Sequence, residues 1–380
     1  MMITTPKHEK IYIGLMSGTS MDGIDAAMIE LESNSFIAGI TKPYSQKAKD
    51  FLEQVLQEKK QSLPTYSQLN TMLGREFAKA ALTLIEQVHL PCSNIKAIGS
   101  HGQTLYHDAT AEIPYTVQLG CGHTIAESTG ITVVADFRTR DLIVGGQGAP
   151  FAPIYHQALF KNQPLPLVVV NIGGIANLSY LSEDSTVHGY DTGPGNCLMD
   201  AWIKRNLGQE YDKNGEWAAS GKVIESLLTD LLQDSYFKKA QPKSIGKEYF
   251  SLAWLERHLK PEYSHADIQS TLLMLTVHTI ARAVNFEKKP PSQVLICGGG
   301  AHNLTLLNAL GLLLQDIPVK STNAYGVNPD FIEALMFAWL ANKTLTSEAL
   351  DMHLITGAKR PAILGTIYPA GIDKRNWLRV

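Results

Sequence analysis

The sequence predicts a two-domain α/β protein. Three observations point there. The chain has 380 residues, 44% hydrophobic and 18% charged, enough to bury an ample core and too many for one small domain. Short β-rich apolar runs alternate with stretches of helical apolar spacing. A strand, a glycine-bearing turn and a second strand occur twice, at residues 11–31 and 167–181, so the opening of one unit is echoed by the other.

Taken in order, residues 11–16 are β-rich, break at the polar stretch 17–23 and resume at 24–31, which predicts a hairpin whose tip carries hydroxyls and carboxylates. Apolar spacing predicts helices over 46–59 and 66–88. A short strand over 95–99 then ends in the polar cluster Ser100-His-Gly-Gln-Thr104. A helix over about 124–128, a strand over 131–135 and the charged loop Asp136-Phe-Arg-Thr-Arg-Asp141 repeat that arrangement. Gly145-Gly-Gln-Gly-Ala-Pro150 is a flexible entry to a helix over 153–160, and residues 161–166 read as a linker. The domain boundary is placed there, giving residues 1–162 with about 342–380 as one domain and 163–341 as the other.

The second domain opens with strand 167–172, the turn Gly173-Gly174 and strand 175–181. A helix over 267–285, a strand over 293–297 and the turn Gly298-Gly-Gly-Ala-His-Asn303 follow in the order of an α/β layer. A last amphipathic helix spans roughly 329–341, and residues 363–368 return to the body as an extended segment.

Composition excludes several functions. With Lys+Arg 33 against Asp+Glu 36, the net charge is -3, without the basic surplus that nucleic-acid binding requires. The four cysteines form no CxxC pair, which argues for reduced thiols and no zinc site. The apolar run 11–16 is far shorter than a membrane span or a signal segment, so a cytoplasmic protein without a membrane partner is expected.

The two glycine hairpins would place turn amides and hydroxyls on facing walls of a cleft, a nucleotide clamp for a polyphosphate and its metal. Ser17, Thr19, Ser20, Asp22 and Asp25 supply short hydroxyls and carboxylates for Mg²⁺ through water. Either turn alone is equally a plain hairpin turn. No GxxxxGK[ST] occurs, so this is not a P-loop protein. Gly298-Gly-Gly300 suits close approach to a base or ribose. Asp191-Thr-Gly-Pro-Gly-Asn196 reads as a carboxylate on a rigid turn ahead of a helix, either a general base or an Asx turn. His101, Asp136, Arg138, Arg140 and Asp141 suit a polyhydroxylated or carboxylated ligand, or else interdomain salt bridges. Glu333 lies on an otherwise apolar helix; facing inward, it would need a function. Gly18-Thr-Ser-Met21 is similar to a subtilisin-type nucleophile segment, but its place at the start of the chain, before a β-rich run, argues against that chemistry.

Together, residues 14–25, Gly99-Ser-His-Gly-Gln103, Val134-Ala-Asp-Phe-Arg138, residues 145–150, Asn171-Ile-Gly-Gly174, Asp191 to Asn196 and Cys297-Gly-Gly-Gly300 resemble the anhydro-N-acetylmuramic acid kinase family nearly end to end. The resemblance extends to Leu198-Met-Asp-Ala-Trp202, Phe337-Ala-Trp-Leu340 and Gly365-Thr-Ile-Tyr-Pro369. It implies the actin/hexokinase/Hsp70 (ribonuclease H-like) fold, in which each domain carries a mixed sheet flanked by helices, with ATP and Mg²⁺ in an interdomain cleft. It implies hydrolytic opening of the 1,6-anhydro ring and phosphorylation of O6, in peptidoglycan recycling. By the same resemblance Asp191 is the base, and Gly18, Thr19, Ser20, Met21, Asp22, Gly23, Ile24 and Asp25 bind the ATP phosphates, with Asp22 and Asp25 on Mg²⁺. Asn171, Gly173 and Gly174 stand opposite, Gly298, Gly299, Gly300 and Asn303 lie near the nucleoside, and His101, Asp136, Arg138, Arg140 and Glu333 face the sugar. A homodimer is the expected assembly. The readings that compete are another sugar or carboxylate kinase on this scaffold, and a non-catalytic nucleotide-switched module, which would need no sugar-facing base.

Overall fold

The computed structural model describes residues 10–18, 23–57, 62–241, 243–246 and 248–371. Its chain divides into two compact units, residues 1–155 with 331–380 and residues 156–330.

The first unit opens with a meander of β1 (Ile11–Ser17), β2 (Ile24–Glu30) and β3 (Ser35–Lys42). Strand β1 is apolar and almost entirely buried, as a central strand must be. Helices α1 (Gln46–Gln57) and α2 (Leu63–Gln87) follow; Ser62 caps α2 by accepting from Thr65 N–H. Strand β4 (Ile95–Asp108) runs parallel to β1 in its first half and pairs antiparallel with β5 (Tyr115–Leu119) in its second. After α3 (Gly122–Thr129), β6 (Val133–Ala135) lies parallel to β4, and α4 (Phe137–Ile143) and α5 (Ala152–Leu159) complete the segment.

In the second unit β7 (Leu167–Ile172), β8 (Ile175–Leu181) and β9 (Val187–Pro194) form another antiparallel meander. Helices α6 (Cys197–Leu207), α7 (Glu216–Ser220), α8 (Glu225–Leu231), α9 (Leu252–Glu256) and α10 (His265–Phe286) intervene before β10 (Val294–Cys297), which is parallel to β7. Helix α11 (Leu304–Leu314) leads to β11 (Val319–Ser321), parallel to β10. Its core gathers Val168, Val170, Trp202, Tyr236, Phe250, Leu275 and Leu306 between sheet and helices. The chain then returns to the first unit through α12 (Ile332–Leu345), α13 (His353–Thr356) and β12 (Thr366–Tyr368), which pairs with β6.

The strand orders are β12-β6-β4-β1-β2-β3 and β11-β10-β7-β8-β9. Read from the third meander strand, both run third, second, first, then two strands parallel to the first. This repeated order is the ribonuclease H-like topology that the family resemblance implies. Helix α12 belongs with the first sheet, whereas the sequence expectation put the second division at 341/342 and the first at 162/163. The reason lies in Gly14 and Gly99, adjacent in register on β1 and β4, where the bare backbone admits α12 into van der Waals contact.

Three further expectations change. The cluster 100–104 lies inside β4, because β5 extends the pairing past it. Residues 137–143 form α4, where a loop was expected. Asp191 sits on β9, where a turn was expected: Gly193 and Pro194 are tolerated on this edge strand, which needs no ladder donor at the proline.

Candidate active site

The neck of the β1–β2 hairpin is pinned by one buried amide. Ser17 Oγ shares its one proton between Gly23 O and Gln103 Oε1, each at 2.8 Å, while Gln103 Nε2 donates to Gly18 O at 3.2 Å. Tyr44 adds a longer bond to the same Oε1. The neck is therefore anchored by a residue from β4 that sequence reasoning quoted in a motif without giving it a task. Of the predicted phosphate-binding residues, Thr19, Ser20, Met21 and Asp22 lie outside the described residues. Ile24 points into the core, so only its backbone could serve a ligand. Asp25 Oδ1 accepts from Thr41 Oγ1 at 2.6 Å. Among the described residues no three His, Cys, Asp or Glu side chains converge on a metal position.

Two residues before Gln103 on β4, α4 carries Arg138 to His101. Arg138 Nε donates to His101 Nε2 at 3.0 Å and Nη1 donates to Gly148 O at 2.6 Å. Because a guanidinium only donates, Nε2 must be the unprotonated imidazole nitrogen. Burial and the Arg138 charge hold His101 well below its ordinary value, so the ring is neutral at physiological pH. Burial lowers Arg138 to about 10, against the favourable charges of Glu333 and Asp141. Asp141 accepts from Gly148 N–H at 2.7 Å and Thr356 Oγ1 at 2.9 Å, while burial pushes its carboxyl up. Glu333 thus faces the cation, as an inward Glu requires.

His101 also lines a polar pocket of about 440 Å³ with Asn70, Gln118, His123, Asp136 and Tyr368, room for one sugar ring. Asp136 heads α4 in the left-handed region (φ 55°) without using its carboxylate as a cap. Arg138 spends two of its donors within the protein and is not an open two-pronged grip, and Arg140 is exposed and does not line the pocket.

In the second unit, cross-strand register makes a polar row. Asn171 on β7 pairs with Asn177 on β8, and Asn177 with Asp191 on β9, so three polar side chains occupy adjacent positions beside the Gly173-Gly174 turn. Asn177 was missed by sequence reasoning; its signal was an amide side chain within a mostly apolar strand. Asp191 Oδ2 accepts from Ile245 N–H at 2.9 Å. Burial pushes its carboxyl up to about 6, opposed by the Ile245 hydrogen bond and the Lys243 charge. A base of this kind is ionised at neutral pH yet close enough to it to accept a proton well.

The start of α6 rests on the Gly173-Gly174 turn: Gly195 N–H donates to Gly174 O and Asn196 N–H to Gly173 O. The nearest atom to a Cβ built at Gly173 or Gly174 lies 3.7 or 3.8 Å away, and neither φ is left-handed. Among the described residues no contact demands glycine there. Gly298 and Gly300 differ: a Cβ on either would strike Asn171 or Ile172.

Gly299 opens onto a pocket of about 300 Å³ lined by Met199, Tyr211, Asp212, His302 and Asn303. Asn303 caps α11, its Oδ1 accepting from Leu306 N–H at 3.0 Å. Tyr211, 62% exposed at the pocket, offers an aromatic face that sequence reasoning overlooked.

Among solved structures the chain is similar to component A of (R)-2-hydroxyglutaryl-CoA dehydratase from Acidaminococcus fermentans (TM-score 0.47, 12% identity, 86% of this chain and 96% of that one). It is also similar to the ROK hexokinase of Thermus thermophilus (TM-score 0.36, 14% identity, 88% and 100%). Relatives in sequence are much nearer. The anhydro-N-acetylmuramic acid kinase of Legionella pneumophila (strain Corby) is 56% identical over 359 residues, 94% of this chain and 98% of its own. That of Coxiella burnetii (strain Dugway 5J108-111) is 45% identical over 361 residues, 94% and 97%. The family described as anhydro-N-acetylmuramic acid kinase matches residues 10–370. On identity of this extent, spanning every motif that builds the two sites, the chain belongs to the anhydro-N-acetylmuramic acid kinase family.

Proposed function

We propose that this chain opens the 1,6-anhydro bond of anhydro-N-acetylmuramic acid with water and transfers the γ-phosphoryl group of ATP to the released O6. The products are N-acetylmuramic acid 6-phosphate and ADP, and the setting is peptidoglycan recycling. The observation that carries the reading is Asp191, a partly buried carboxylate near pH 6 beside a glycine turn with no packing reason to be glycine. Asp191 takes a proton from the water that attacks C1. The C1–O6 bond breaks, and O6 keeps that electron pair and forms the new bond to phosphorus as the bond to ADP breaks. One leaving oxygen thereby becomes the phosphoryl acceptor, so a single site couples both bond changes.

In this reading Gly173, Gly174 and the segment from Gly18 to Asp25 receive the ATP phosphates, and Asn171 lies beside them. Gly298, Gly299, Gly300 and Asn303 shape the nucleoside pocket. Asp22 and Asp25 hold Mg²⁺ through water, and the metal supplies charge neutralisation on the phosphates. His101, Asp136 and Glu333, with Arg138 supporting His101, form the sugar side, and Arg140 reaches it only if its exposed side chain turns. Among the described residues no helix is long and apolar enough to cross a membrane. A cytoplasmic homodimer is the assembly this reading expects.

The test is coupled ADP release with Mg-ATP and anhydro-N-acetylmuramic acid, beside N-acetylmuramic acid and N-acetylglucosamine. Turnover that requires the anhydro sugar supports the assignment. Faster turnover on a sugar with a free anomeric hydroxyl would replace it with an ordinary sugar kinase, and ATP binding without sugar-stimulated turnover would leave a nucleotide switch.

Gly174→Ala separates ligand from packing. A methyl group fits in ordinary contact, and the less flexible unfolded chain favours the variant slightly. The melting temperature should hold or rise while the KM for ATP increases about tenfold or more, by crowding of a phosphate against the turn. An unchanged KM would remove the turn from the ATP site.

A further inference from the structure

Asp191 is held from one side by a segment to which the proposed reaction gives no task. Residues 243–246 run along the outer edge of β9, where Asp191 N–H donates to Lys243 O at 3.0 Å and Ile245 N–H donates to Asp191 Oδ2 at 2.9 Å. From the 3₁₀ turn Ser235–Lys238, the Tyr236 hydroxyl donates to Asp191 O at 2.7 Å. Lys243 ties strap to turn: its Nζ donates to Tyr236 O at 3.3 Å and stands 4.5 Å from the centre of the Tyr236 ring. Both the backbone and the carboxylate of Asp191 are therefore fixed by contacts that close on Lys243.

The electrostatics agree with that geometry. Burial disfavours the Asp191 carboxylate, whereas the Ile245 N–H and the Lys243 ammonium favour it. Among the described residues the other charged or titratable groups around the pair include Tyr236, Lys238 at the end of the turn, Lys239 just beyond it, Tyr190 on β9 and Arg282 on α10. Burial and the Asp191 charge push the Tyr236 phenol up, so it stays a neutral donor. Burial, Arg282 and Lys239 lower Lys243, and Asp191 raises it. Lys239 also lies against the Tyr236 ring, at 5.6 Å.

We propose that Lys243 is the positioning residue of Asp191: anchored on Tyr236, it fixes the strap against β9 and keeps the carboxylate in the form that can accept a proton. The inference rests on the reading of Asp191 as the base. It makes the strap part of the catalytic apparatus, although no strap residue need touch substrate.

The experiment is the pH profile of kcat/KM for the anhydro sugar with the full chain, comparing wild type, Lys243→Met, Lys243→Arg and Asp191→Asn. Lys243→Met should move the acid limb up by about one pH unit and recover most of the wild-type rate on the alkaline plateau, where the carboxylate is ionised regardless. Lys243→Arg should leave the limb near its wild-type position. If Lys243→Met does not fold, Lys243→Gln, which keeps an amide donor without the charge, is read in the same way. A plateau that falls while the limb stays in place would make Lys243 a structural support and overturn the proposal. Turnover surviving in Asp191→Asn would sink the base assignment itself. An inactive Asp191→Asn beside an unmoved limb in the Lys243 variants would defeat only the present inference.

Discussion

Asp191→Asn should lose nearly all turnover and, at neutral pH, unfold less readily than the wild type. The first effect follows from removing a base: about 10²- to 10⁴-fold in kcat, with the KM for ATP little changed because nucleotide binding does not need the proton acceptor. The second follows from the raised carboxyl. Asp191 goes from 3.8 to about 6 on folding, so between these values the folded chain binds more protons than the unfolded one. Its stability is then greatest below 3.8 and falls as the pH rises through about 6. At about 1.4 kcal/mol per unit, ionising this group costs the folded state about 3 kcal/mol at most. Asn keeps an oxygen for the Ile245 N–H and escapes that cost. Urea unfolding should show Asp191→Asn more stable by about 1–3 kcal/mol at pH 8 and level with wild type below pH 4. Equal stability at pH 8 would mean that the site does not strain its carboxylate, and burial would no longer explain a base poised near neutrality.

The same residue shows what the sequence discloses and what it hides. Asp191 was legible only as a candidate, a carboxylate in a Gly- and Pro-rich setting that reads as a base or as an Asx turn. Its backbone was not: Gly193 and Pro194 signal a turn wherever the neighbouring strand is unknown, and only the edge position of β9 makes them compatible with extended structure. The two hairpins were legible because alternation and glycine turns are local signals. The strap on Asp191 and the Gln103 clamp were not, since each rests on hydrogen bonds between residues tens of positions apart. Asn177 joins Asn171 and Asp191 only through register, which strand pairing alone determines. On the sugar side, His101, Asp136 and Arg138 were expected in the first domain and Glu333 in the second, and the structure brings all four into one unit. Their division of labour, with Arg138 committed to His101 and Gly148, emerges only from the packing.

Gly99→Ala should be among the most disruptive single-methyl changes in the first unit. A Cβ there would lie 1.9 Å from Phe337 O, and at Gly14, its register neighbour, 1.6 Å from Ala334 O. Both clashes are with the backbone of α12, which no rotamer change can relieve, so the helix must lift by more than an ångström from a sheet on which it buries Leu335, Phe337, Ala338 and Ala341. Overpacking of this kind costs about 3 kcal/mol or more. The effect should also reach the site. Phe337 packs on the His101 ring, with centroids 4.7 Å apart, and Glu333 on the same helix faces Arg138. Gly99→Ala should therefore lower the melting temperature by several degrees and raise the KM for the sugar more than that for ATP. Gly130→Ala is the control: it caps α3 with φ 70° and open space around it, so only the cost of a left-handed alanine, about 1 kcal/mol, applies. If the two variants lost equal stability, α12 would not be seated by its backbone on the glycine pair. Its place in the first unit would then rest on side-chain burial alone.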